Sequence, residues 1–145
     1  MNKTFWIAFV VIYVVMQCIG FLVHGLWLEE TYQPLWGAVL RPEAEFNSRM
    51  WLMFVTSAVY LYLFCYIFTK GYEGKGIGEG ARYGLLIGLL LAAAMADNYV
   101  LFPLDPNLAA TWFVVSVVSF VIAGILLAAI YKPTSAARTP AAAPA

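Results

Sequence analysis

The stretch GARYGLLIGLLLAAAMADNYVLF, residues 80–102, decides how this chain folds. Its Ala81–Phe102 portion is almost wholly apolar and close to the roughly 20 residues a helix needs to cross about 30 Å of hydrocarbon. Lipid offers the backbone no hydrogen-bond partner, so such a run must close its own bonds as a helix. Gly80, Gly84 and Gly88 recur along it every four residues. A stripe of that kind admits another helix at close range. Near the far end stand Asp97 and Asn98. An ionisable side chain inside a membrane span is expensive, which makes it a functional-site hypothesis by default.

Three further runs have the same character: Phe5–Leu28, Trp51–Thr69 and Leu108–Tyr131. The 145 residues are 63% hydrophobic and only 11% charged, with a mean hydropathy of +0.83. Ordinary soluble domains carry about 25% charged residues. The expected fold is therefore an all-α integral membrane protein, a four-transmembrane-helix bundle over residues 1–132. Its spans fall at about 5–28, 51–69, 81–102 and 108–131. A net charge of zero leaves no basic surface for nucleic acid. The first run is long for a signal peptide and no small-x-small cleavage site follows it, so it reads as an uncleaved anchor. Residues 133–145 are rich in Ala and Pro and lack the bulk to build a core. They read as a tail that is disordered unless a partner holds it.

Basic residues set the orientation. Lys3, Lys70, Lys75, Arg82, Lys132 and Arg138 fall on one side, against Arg41 and Arg49 on the other. The positive-inside rule then puts both termini in the cytoplasm and an acidic face, Glu29, Glu30, Glu43, Glu45 and Asp105, outside. The long outer connection Glu29–Met50 contains Tyr32, Leu35, Trp36, Val39 and Leu40 at helical spacing, with Thr31 as N-cap and Pro34 in the first turn. This predicts a short amphipathic interfacial helix between helices 1 and 2, ended by Arg41-Pro42, its apolar side facing lipid, the bundle or a docking partner. Trp27, Trp36, Trp51 and Trp112 gather near the same boundary as an aromatic belt.

Chemistry-bearing residues are few. His24 and Asp97 lie at similar depth below the outer boundary and could meet in a bundle, as a proton relay or as a structural polar pair. His24 is the sole histidine, and Cys18 and Cys65 sit on different spans, so no metal set and no disulfide are expected. A single histidine ligand to haem or pigment is a weaker reading of His24. The glycine-rich connection Lys70–Gly80 lacks the Gly-Lys-Ser/Thr of a phosphate-binding loop and reads as a flexible turn near lipid headgroups. Tyr60, Tyr62, Phe64 and Tyr66 point around helix 2 and suit packing against several neighbours, better than the lining of one quinone or pigment pocket. Ser57, Ser116 and Ser119 have no base in their pattern and suit helix–helix hydrogen bonds. No catalytic residue and no cofactor are expected.

Phe21-Leu22-Val23-His24-Gly25 with Glu29, Tyr32 and Arg41, then Tyr66-Ile67-Phe68-Thr69-Lys70-Gly71 and Gly80-Ala81-Arg82-Tyr83-Gly84, resembles a family of small four-span bacterial inner-membrane proteins of unknown function. The resemblance covers most of the chain up to about Tyr131. It implies four spans in a bacterial inner membrane and carries over no site residues. The expected role is a non-catalytic accessory or structural subunit of a larger membrane complex, of respiratory or photosynthetic type. Its partners would be lipids and other membrane subunits. The alternatives are a small proton-linked carrier using His24 and Asp97, or a subunit that binds a pigment, haem or quinone.

Overall fold

The computed structural model describes residues 2–132; the tail 133–145 lies outside them. Helix α1 spans Lys3–Gly20 and continues as a wider π-helical segment, Phe21–Trp27. A four-residue helix α2, Glu29–Tyr32, and a 3₁₀ turn, Gln33–Leu35, follow. The long helices α3 (Glu43–Lys70), α4 (Ile77–Leu101) and α5 (Pro106–Ile130) complete the chain. Among the described residues four helices, with α1 and its π segment counted as one, are long and apolar enough to cross a membrane. The protein is an all-helical, multi-pass membrane bundle.

Local chemistry explains where the helices begin. Asn2 caps α1, its Oδ1 accepting from the Phe5 amide at 3.0 Å. Asp105 caps α5, accepting from the amides of Asn107 and Leu108 at 2.8 and 3.3 Å. Pro106 then opens the helix where an amide would have no partner anyway. Helix α3 starts at Glu43, earlier than the expected Trp51. The Pro42 carbonyl accepts from the amides of Glu45 and Phe46, and Glu43 and Glu45 sit where the helix dipole favours negative charge.

The long helices alternate in direction, so one end of the bundle carries both described termini. The main core fills that half. Phe5, Ala8 and Ile12 of α1 meet Leu61, Phe64, Cys65 and Phe68 of α3 and Phe120, Ala123 and Leu127 of α5. The aromatics of α3 pack in several directions. Tyr62 lies edge-on to Phe5, Tyr60 and Phe64 meet Phe120, and Phe64 meets Tyr83 of α4 at 4.8 Å between centroids.

Helices α4 and α5 form the closest pair. A Cβ added at Gly84 would stand 2.9 Å from Val121 Cα and nearer still to the Phe120 carbonyl oxygen. One added at Gly80 would meet Ala128 Cβ at 2.6 Å, and one at Gly88 would meet Val117 Cα at 3.1 Å. The glycine stripe therefore faces α5 of its own chain. Any larger residue at Gly80 or Gly84 would force the two backbones apart.

The expected interfacial helix is not what forms. After Leu35 the backbone turns extended at Trp36 (ψ 124°) and reverses at Gly37, whose φ of +76° lies in the left-handed region. The Leu35 carbonyl collects the amides of Ala38, Val39 and Leu40 instead of one helical partner. The apolar residues expected to dock lipid or a partner are turned inward. Leu35, Trp36 and Leu40 pack with Val23 and Trp112 around buried Leu28, Tyr32 and Leu108.

Candidate functional site

This second cluster surrounds a constellation of polar side chains drawn from separate elements at the far end of the bundle. It begins with the π-helical segment. Here the Leu28 amide reaches back to the Val23 carbonyl at 2.8 Å, a five-residue step that widens the turn. The Phe21 ring lies over Gly25, where an added Cβ would be 3.0 Å from Phe21 Cδ2. π-Helical turns often mark functional positions. His24 sits within this one.

His24 Nδ1 lies 2.6 Å from the Tyr32 hydroxyl, and the two rings stack at 16°. Trp112 of α5 donates its Nε1–H to the same hydroxyl at 2.8 Å. Tyr32 accepts from Trp112, and with His24 in the tautomer protonated at Nε2 it also donates its own proton to His24 Nδ1. In that tautomer the Trp112 N–H, the Tyr32 hydroxyl and His24 Nδ1 are all engaged. Burial pushes the Tyr32 hydroxyl above the usual tyrosine range, and the Trp112 hydrogen bond opposes this only in part. The phenol keeps its proton at neutral pH and remains a donor. His24 itself is exposed, so the triad holds the imidazole in one orientation with its other nitrogen free of the bonding chain.

The other expected residues fall differently. Asp97 is exposed. Its carboxylate makes no hydrogen bond or ion pair with any described residue. The His24–Asp97 pair is not formed; Tyr32, eight residues from His24, takes that place. Asn98 is half-buried and lines a cleft of about 340 Å³ between the far halves of α4 and α5. Ala92, Ala96, Ala109 and Ala110 make its small-residue walls, and Trp112 forms part of its lining. Trp112 thus stands between the cleft and the His24–Tyr32 pair. Among the described residues no group of three or more His, Cys, Asp or Glu converges as a metal site.

A second polar site lies at the opposite end and was not legible as such. Glu79, in the first turn of α4, is buried. Its Oε1 accepts from the Glu73 amide and its Oε2 from the Lys75 amide, each at 2.7 Å. Gly74 and Gly76, at φ +78° and +75°, let the chain curl its amides inward. The turn expected to be flexible is therefore pinned by a carboxylate of its own chain. Glu73 also pairs with Lys75.

Elsewhere Gln17, Tyr13 and Tyr83 join helix to helix. Gln17 of α1 donates to Ser57 of α3 at 2.6 Å. The Tyr13 hydroxyl donates to the Phe54 carbonyl at 3.2 Å, and that of Tyr83 to the Phe64 carbonyl at 2.6 Å. Ser119 bonds to the Val115 carbonyl on its own helix. Fold and site together define a small helical membrane protein with four candidate spans and a His–Tyr–Trp hydrogen-bond chain at the end of the bundle opposite its described termini. No family model, curated protein or solved structure shows significant similarity to the chain.

Proposed function

We propose that this protein is a non-catalytic accessory or structural subunit of a larger membrane assembly, of respiratory or photosynthetic type, in a bacterial inner membrane. The observation that carries the reading is how the polar side chains are used. Gln17 with Ser57, Tyr83 with Phe64, Glu79 with its loop, and His24 with Tyr32 and Trp112 each tie one element to another. They do not converge on a common chamber. Such bonds in a bilayer hold helices in register, each contributing roughly 0.6–2 kcal/mol. A protein built this way is suited to present a fixed surface to neighbours.

Both termini are assigned to the cytoplasm by the excess of Lys and Arg on their side. The resemblance of the His24, Tyr66–Gly71 and Gly80–Gly84 segments to small inner-membrane proteins supports the bacterial setting. Mild-detergent purification of the tagged protein from its own host tests the role. Stoichiometric recovery with larger membrane subunits is the expected result. Recovery of the chain alone, or only with copies of itself, would overturn it.

A further inference from the structure

The far halves of α3 and α4 leave most of their side chains uncovered by the described residues, α3 touching α1 at Phe54 and α4 meeting α5 only across the cleft. Every α3 residue from Asn47 to Thr56 is exposed, a stretch of nearly three turns with no covered side. On α4 the same holds for Ala93–Asp97 and Tyr99–Leu101. Exposed Trp51, Met53 and Leu101 are what lipid contact requires. Lipid does not account for the charge.

Asp97 presents a carboxylate on this bare face without a side-chain partner among the described residues. Its complement stands at matching depth on α3. Arg49 lies roughly 9 Å into α3 from Glu43, and Asp97 roughly 6 Å into α4 from Leu101. Arg49 and Arg41 share a single carboxylate, Glu45, so two guanidinium groups are served by one acceptor and donors remain.

We infer that the bare halves pair between two copies of this chain, α3 of one copy against α4 of the other, with Arg49 facing Asp97 across the contact. A two-fold axis repeats the contact and covers all four bare half-helices at once. The two helices run in opposite directions, so the register continues inward: one turn beyond Arg49, Met53 faces Ala93, one turn before Asp97. Ala93 and Ala94, a turn inward of the carboxylate and outside the cleft lining, leave room for the bulky face of α3. The inference rests on the reading of the protein as part of an assembly and names one contact within it.

Cysteine cross-linking in native membranes tests it. Two differently tagged copies are expressed together with Cys18→Ala and Cys65→Ala, one also carrying Met53→Cys and the other Ala93→Cys. Oxidation is expected to join the two tags. Asp97→Asn lowers the joined fraction roughly tenfold at limiting expression. Asp97→Arg abolishes it, and adding Arg49→Asp restores it. All of these charge changes are on exposed positions, and the mass of the unmodified protein in native nanodiscs gives a second reading that needs no variant. Joining no greater than with Ile7→Cys in place of Met53→Cys, joining indifferent to both charges, or a single copy per nanodisc would overturn the inference. A dimer free of other subunits upholds the pairing and removes the accessory-subunit reading. A larger complex holding one copy does the reverse.

Discussion

Replacing Gly84 by Ala adds one methyl group, and the structure says where it goes. The new Cβ would stand 2.9 Å from Val121 Cα, against an ordinary contact of at least 3.4 Å. The atoms in its way are α5 backbone, which cannot swing aside as a side chain can. The helices must therefore part by about 0.5 Å or more. A gap of that size forfeits about a quarter to a half of each van der Waals well. Over roughly 40 atom pairs of ~0.15 kcal/mol each, that is ~2 kcal/mol, within the ~1–3 kcal/mol typical of overpacking. Gly78 is the internal control: it is on the same helix, and an added Cβ there meets nothing within 4 Å. Gly78→Ala should be neutral or stabilising by up to ~1 kcal/mol, since Ala is the better helix former. Equilibrium unfolding in mixed micelles measures both. Gly88→Ala should fall between them, because its nearest contacts are looser, at 3.1 Å. If Gly84→Ala matched Gly78→Ala within ~0.5 kcal/mol, the close α4–α5 approach would be wrong.

Further outcomes follow from the polar ties. Tyr32→Phe removes the hydroxyl shared by His24 and Trp112, and should shift the Trp112 indole ¹⁵N–H resonance while costing ~1–2 kcal/mol; an unmoved resonance would refute the hydrogen-bond chain. The same residue sets a pH dependence. A phenol whose pKa is raised on folding contributes stability that is complete below the unfolded tyrosine value, about 10, and is lost as pH rises through the folded one. Wild type should therefore lose more stability than Tyr32→Phe when unfolding is compared between pH 9 and pH 11. Glu79→Gln places an amide NH₂ against a backbone N–H, so hydrogen exchange at the Glu73 and Lys75 amides should speed up at least about tenfold; unchanged protection would mean the loop is held by something else. A double-mutant cycle on Gln17→Leu and Ser57→Ala should give a coupling of ~0.6–2 kcal/mol, and a value near zero would remove that tie from the account.

Composition and span length were enough to specify four membrane helices, because the cost of unpaired backbone in lipid leaves a long apolar run no other regular form. The glycine stripe was legible for the same local reason: spacing by four puts small residues on one face whatever the partner. What the stripe could not reveal was its neighbour, and the structure supplies it as α5 through Phe120, Val121 and Gly124. The segment from Tyr32 to Leu40 shows the limit of periodicity. Its apolar spacing is helical, yet Gly37 reverses the chain, and burial against Leu28 and Leu108 outweighs a surface helix. Depth along the sequence suggested His24 with Asp97. Depth says nothing about rotation around a helix axis, and the packing turns Asp97 outward while the widened turn at Phe21–Trp27 brings His24 to Tyr32. Glu79 carries a similar lesson, since only the folded loop reveals that its carboxylate receives the amides of Glu73 and Lys75. Hydrophobic length is a property of each segment alone, so sequence settles it; which side chains meet depends on how several helices rotate against one another, and tertiary packing alone sets that.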